Sequence, residues 1–231
     1  MTPRPDPRRA ELVEAILPHV AFDGWSDAAF RRAAADRGMT EAAARVVAPR
    51  GAVDLAVTYH RQGDEAMRAA LVKEDLSALR FRDRIARAVR LRLDVITDRE
   101  AVRRSTALFA LPHLAAEGGR QVWDTADAIW TALGDSSDDI NWYTKRMTLS
   151  AVYASAVLYW LGDDSLDQQA TTDFIDRRID DVMQIEKLKA QVNDNRLLRP
   201  LLGPLGALMG RVRPPARTPP LDLPGSWTTP R

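Results

Sequence analysis

Residues 138–161 read DDINWYTKRMTLSAVYASAVLYWL, and the two halves of this stretch follow different rules. From Met147 to Leu161 it is apolar nearly all round, as a helix through the middle of a bundle should be. The first turns do not match. Trp142 and Tyr143 are neighbours, and neighbouring helical positions project about 100° apart, so one core-facing stripe cannot take both rings near its centre. Asp139, Trp142 and Arg146 follow at three- and four-residue spacing and so share a face. Acid, ring and cation together read either as a partner contact or as a tryptophan capping the end of the core, with Arg146 able to stack on Trp142 within the helix.

Outward from this segment the pattern stays helical. Alternating β-branched runs bounded by tight turns are nearly absent, while alanine-rich segments at helical period follow one another, so the fold class is all-α. A first helix is predicted over 6–21 on the stripe Leu12, Val13, Ile16, Leu17 and Val20, with Pro18 expected to bend or end it. Ser26 is the N-cap of a helix over 26–37, Gly38 ends it, and Thr40 caps another over 41–48, which is the helix-turn-helix pattern. Further helices are predicted over 53–62, 76–96, 99–111, 114–133, 138–161 and 166–192. On the 76–96 helix Arg80, Arg82, Arg84, Arg87, Arg90 and Arg92 surround the apolar stripe, read as a solvated face or, alternatively, a binding patch. The implied organisation is an N-terminal helix-turn-helix bundle over 1–51, a helical body over 52–192, an arm over 193–213 and a Pro-rich, disordered tail over 214–231.

In the arm, Leu197, Leu198, Leu201, Leu202, Leu205, Leu208 and Met209 fall on one broad face, and Arg196, Arg199, Arg211, Arg213 and Arg217 flank it with no acid between Asp194 and Asp222. Such a helix can insert its apolar face in an anionic membrane surface; an ordinary last helix docked on the bundle is the other reading. Pro200 and Pro204 argue against rigid core packing, because each removes a backbone donor.

Composition narrows the chemistry. The 231 residues carry 33 basic and 32 acidic side chains, a net charge of +1, which gives no chain-wide reason to expect nucleic acid. The absence of cysteine excludes disulfides, thiolate metal sites and cysteine nucleophiles. His19, His60 and His113 lie far apart with no metal-ligand spacing, and there is neither a phosphate-binding glycine loop nor a nucleophile elbow, so no metal, no cofactor and no catalytic residue are expected. The expected recognition helix, TEAAARVV at 40–47, offers Arg45 but little else to read base edges, and residues 26–50 set five arginines against Asp27, Asp36 and Glu41. The start MTPRPDPRR reads as neither a secretory signal nor a transit peptide, so the chain is expected to stay where it is made.

The run DDINWYTKR, followed by Leu149, Val152 and Tyr153, then by DDS at 163–165 and by Thr171 to Asp181, resembles an accessory protein family of ubiquinone biosynthesis, the ninth member of the coenzyme Q series. PHVAFDGW at 18–25 and RFRDRI at 80–85 also look like that family, so the resemblance covers roughly residues 10–212. It implies a tetracycline-repressor-like, homodimeric fold without gene regulation. It also implies a cavity for isoprenoid quinone intermediates and phospholipid, and a surface that docks the di-iron demethoxyubiquinone hydroxylase. The residues matching that surface are Asp139, Trp142, Tyr143 and Arg146; the cavity wall is placed on Leu149, Tyr153, Val157 and Trp160; the arm from Arg196 through Arg211 would meet an anionic membrane. The expectation is a non-catalytic lipid-presenting protein of the bacterial cytoplasm, peripheral to the inner membrane. The alternative is a tetracycline-repressor-like transcription regulator.

Overall fold

The structure, a computed structural model, describes residues 7–194, with side chains described for residues 7–184; the arm and tail residues 195–231 lie outside the described residues. Among these, the chain forms nine α-helices and no strand. They are α1 (Pro7–Asp23), α2 (Asp27–Asp36), α3 (Glu41–Val47), α4 (Ala52–Leu71), α5 (Phe81–Asp94), α6 (Arg99–Phe109), α7 (Ala115–Ala132), α8 (Ile140–Leu161) and α9 (Gln169–Asp194). A 3-10 turn at Leu166–Gln168 precedes α9.

The helix-turn-helix follows from its caps. The Ser26 hydroxyl accepts from the Ala29 N–H at 3.2 Å and the Thr40 hydroxyl from the Ala43 N–H at 3.2 Å, each satisfying a donor the helix start leaves open. Between them Gly38 takes φ +64°, and Gly38 and Met39 return their N–H groups to Ala35 and Ala34. That left-handed residue closes α2 as a side chain at this position would not readily allow.

Among the described residues, two apolar clusters form the interior. One gathers Leu12, Ile16, Phe30, Val47 and Leu55 around α1–α3; the other gathers Met67, Val89, Leu93, Ile129, Tyr153 and Ile175 between α4, α5, α7, α8 and α9. Helix α4 serves both, its first turns in the former and its last in the latter. Within the first cluster Trp25 ties α6 to the N-terminal helices by donating Nε1–H to the Ala101 carbonyl at 3.0 Å.

Several boundaries differ from the sequence reading. Pro18 sits within α1 without ending it, because it is exposed and the carbonyl it strands can be hydrated. Helix α4 runs through Gly63 to Leu71 instead of stopping at residue 62. A Cβ on Gly63 would lie 2.6 Å from the Arg92 guanidinium, so this glycine admits a neighbour and does not end a helix. Helix α5 begins at Phe81, after a turn in which Asp75 accepts from the Ser77 N–H at 2.9 Å.

Of the six arginines read as a solvated face, Arg80 stays largely exposed, whereas Arg82, Arg87, Arg90 and Arg92 within α5 are drawn into ion pairs. Arg82 pairs with Asp180 of α9, Arg87 with Glu74, Arg90 with Asp94 at 2.8 Å, and Arg92, 3% exposed, with Asp64 of α4 at 2.7 Å. Arg90 also donates to the carbonyls of Asp167 and Gln168, fixing the turn before α9, where both residues have positive φ. Alternation of charge along α5 reports the neighbouring helices, which a single helix pattern does not contain.

Candidate functional site: an apolar cavity beside an aromatic surface

Helix α8 starts where the opening stretch changes rule. Asp139 is its N-cap, accepting from the Asn141 N–H at 2.9 Å, and remains exposed. Trp142 and Tyr143 are both half-buried, their rings edge-to-face at 4.7 Å, and both meet Trp123 of α7, at 5.9 and 6.3 Å. Neither ring is a core plug; the three form an aromatic cluster at the surface. Trp123 was not singled out from sequence, although its place on α7 one helical turn before Asp127 could have suggested it.

Arg146 corrects the expectation of a surface contact. Its side chain is 0% exposed, paired through Nε with Asp127 at 2.5 Å and through Nη1 with Asp135 at 2.9 Å. It also donates to the Trp142 carbonyl at 3.1 Å, and its guanidinium lies 4.0 Å from the Trp142 ring centroid. The four-residue spacing does put cation and ring in register, but the cation faces inward and supports the ring from beneath. Burial raises the cost of charge on Asp135, yet hydrogen bonds from Lys145, Arg146 and Ser137 outweigh it and hold its carboxyl at about 2.

On either side of α8 the helices leave space. A cavity of about 250 Å³ lies between α4, α6, α7 and α8, walled by Val102, Phe109, Val122, Tyr153, Val157 and Leu158. A second, of about 220 Å³, lies between α5, α7, α8 and α9, and Leu149 belongs to that one. The proposed wall is therefore divided: Tyr153 and Val157 face one cavity, Leu149 the other, and Trp160 neither. Trp160 is 3% exposed, donates Nε1–H to Gln168 at 2.7 Å and lies under Arg99, so it holds the α8–α9 connection. Asp163 of the same connection accepts from Ser165 and from both donors of Thr171, which keep its carboxyl well below the usual range.

The first cavity has a polar inner end that sequence reasoning passed over. His60 Nε2 is 3.1 Å from the Gln121 carbonyl and 2.8 Å from Thr125 Oγ1; since a carbonyl only accepts, that nitrogen carries the proton. Behind it Thr125 donates to Asp64, which holds Arg92. Burial, then the Arg92 charge, lower His60 to about 4, so the ring is neutral near pH 7. The signal was present in the chain: His60 and Asp64, and Gln121 and Thr125, are polar pairs at four-residue spacing on otherwise apolar faces.

The recognition-helix position is poor for DNA. Helix α3 has seven residues, Val46 is 78% exposed on it, and Arg45 pairs with Asp27 and Glu41, each at 3.1 Å. A guanidinium already matched by two carboxylates has little left for a phosphate or a guanine. Among the described residues no group of acids and histidines is arranged to hold a metal ion, and no helix is long and apolar enough to cross a membrane.

Comparison with known proteins agrees with the resemblance read from the sequence. The COQ9 family matches residues 115–186. The probable ubiquinone biosynthesis protein coq9 of Dictyostelium discoideum is 27% identical over 197 residues, 80% of this chain and 63% of that protein. Human COQ9 is 28% identical over 202 residues, 83% of this chain and 63% of that protein, and Drosophila melanogaster COQ9 is 28% identical over 191 residues, 80% and 58%. The chain thus spans about three fifths of the length of these relatives. A TetR transcriptional regulator from Nitrosomonas europaea superposes with TM-score 0.60 at 18% identity, covering 75% of this chain and 97% of that one, which shows the tetracycline-repressor-like fold. The location expected from sequence, a bacterial cytoplasm at the inner membrane, is corrected: all three relatives are named mitochondrial. A compartment is addressed by targeting segments that receptors read, and the composition of a folded body does not encode it.

Proposed function

We propose that the chain is a non-catalytic accessory protein of ubiquinone biosynthesis that shelters an isoprenoid quinone precursor in the α4–α6–α7–α8 cavity and presents it to demethoxyubiquinone hydroxylase. The observation that carries this reading is an apolar cavity bounded by the same helix, α8, whose first turns display an aromatic cluster. An isoprenoid leaving a bilayer exposes apolar surface costing about 25 cal/mol per Å², and a cavity of this kind offsets that cost. Asp139, Trp142, Tyr143 and, newly, Trp123 form the docking surface, with Arg146 beneath them as a support. That related proteins are named for ubiquinone biosynthesis supports this reading.

Native mass spectrometry of the protein purified from cells tests the class: a co-purifying isoprenoid or phospholipid supports it, and a ligand-free chain in quinone-producing cells counts against it. Trp142→Ala should weaken hydroxylase binding by about 2 kcal/mol. The docking role is abandoned if affinity is unchanged while stability drops sharply. The homodimer stays part of the proposal, with Met147, Ala151 and Leu158 on the exposed side of α8 as its seam, and sedimentation equilibrium decides it. The arm, from Arg196 onward, rests on its sequence alone; its deletion should abolish flotation with anionic vesicles.

A further inference from the structure

The proposed function makes no use of the second cavity, about 220 Å³ between α5, α7, α8 and α9, walled by Phe81, Trp130, Leu149, Ile179, Val182 and Met183. Phe81 and Met183 are 48% and 36% exposed, so the edge of this apolar socket is open. Along α9, Asp176, Ile179, Asp180 and Met183 recur at three- and four-residue spacing and share a face. The two carboxylates lean on one cation: Arg82 pairs with Asp180 and reaches Asp176 at 3.7 Å, and both acids are about half exposed. An apolar socket rimmed by acids fits a segment that is apolar and basic. The chain carries one. The arm sets Arg196, Arg199, Arg211 and Arg213 beside its leucines, with no acid among them.

We propose that the arm folds back along α9 and seats Leu205, Leu208 and Met209 in the α5–α7–α8–α9 cavity, covering its own apolar face until an anionic membrane displaces it. The lengths match. Helix α9 runs on from Met183 to Asp194, where the arm begins. Met183 and Leu205 each lie eleven residues from Asp194, about 16 Å at 1.5 Å per helical residue. An arm that turns back at 195–196 thus brings Leu205, Leu208 and Met209 level with Met183, Val182 and Ile179, and Arg211 beside Asp176 and Asp180. Pro200 and Pro204 come before these residues, so the stretch 205–213 keeps all its backbone donors. A membrane competes for the same leucines, and lipid phosphates replace the two acids as partners of the arginines. The release step rests on the arm's membrane role proposed above; the docking does not.

The chain has no cysteine, so an introduced pair reports on itself alone. Full-length protein carrying Met183→Cys and Leu205→Cys should form a disulfide within one chain on mild oxidation in lipid-free buffer, and phosphatidylglycerol vesicles added first should abolish it. A Leu111→Cys, Leu205→Cys control, with its first site beyond α6, should form none. Neutral substitutions at the open edge, Phe81→Ser with Met183→Ser, should raise affinity for the same vesicles about tenfold if the arm is docked about nine-tenths of the time. A disulfide joining two chains would give the cavity to a second copy's arm, and a pair no faster than the control would leave it without one; either overturns the proposal. If wild type floats with the vesicles and the serine variant binds them no more tightly, the docking is wrong while the membrane role stands. If the intrachain disulfide forms but deleting the arm leaves flotation intact, the membrane role fails and takes the release step with it.

Discussion

Arg146 lies one helical turn beyond Trp142, and that spacing alone puts the two side chains on one face. Whether the face looks outward is decided elsewhere, by Asp127 and Asp135 of the α7 end and the loop after it, which draw the guanidinium inside. Removing Arg146 leaves the buried Asp135 carboxylate with Lys145 at 2.9 Å as its remaining cation, so part of its charge goes uncompensated. Arg146→Met should therefore lower unfolding free energy by about 3 kcal/mol in urea titrations. Adding Asp135→Asn should recover part of that loss, and full additivity of the two losses would mean the carboxylate was never uncompensated. Gly63→Ala pits two effects against each other. Alanine favours a helix over glycine by about 1 kcal/mol, while a methyl 2.6 Å from the Arg92 guanidinium must displace a buried ion pair at about 3 kcal/mol. The net expectation is a destabilisation of about 2 kcal/mol, and a stabilised variant would show that Arg92 can move freely.

Helices α2 and α3 show what an element's sequence can and cannot reveal. Ser26, Gly38 and Thr40 are local signals for local events, and the structure uses each as read. Ser26→Ala should accordingly cost about 1 kcal/mol, measured by thermal denaturation with the Thr40→Ala variant as companion. What the element does in the molecule is a different matter. The motif fits a DNA reader, yet Arg45 spends its guanidinium on Asp27 and Glu41, the former on another helix. A gel-shift titration at low salt should give equal affinities for specific and random duplexes, and a preference above about 10³-fold would restore the regulator. Helix α5 teaches the converse: its arginines looked like a solvated stripe because their acids, Glu74, Asp64 and Asp180, lie on other parts of the chain.

At the scale of the whole molecule, the buried polar end of the cavity links stability to pH. His60 titrates near 4 in the folded protein and about 6.5 in an unfolded chain, so it binds a proton earlier when unfolded. Its depressed value means stability is intact above pH 6.5 and declines as pH falls from 6.5 toward 4, by up to roughly 3 kcal/mol. His60→Gln should flatten that part of the urea-midpoint profile, and an unchanged slope would place the ring in solvent. The sequence by itself determined the helical class, the caps and the kinship with ubiquinone biosynthesis proteins, because helical periodicity, capping and a long unusual motif are all written within short stretches of chain. Only the tertiary structure decided that Arg146 points inward, that α4 continues past Gly63, that Leu149 and Tyr153 wall different cavities, and that Gln121 is left with an unsatisfied donor. Each of those depends on a partner at least ten residues distant, and a hydrogen bond or a clash exists only once packing has brought both sides together.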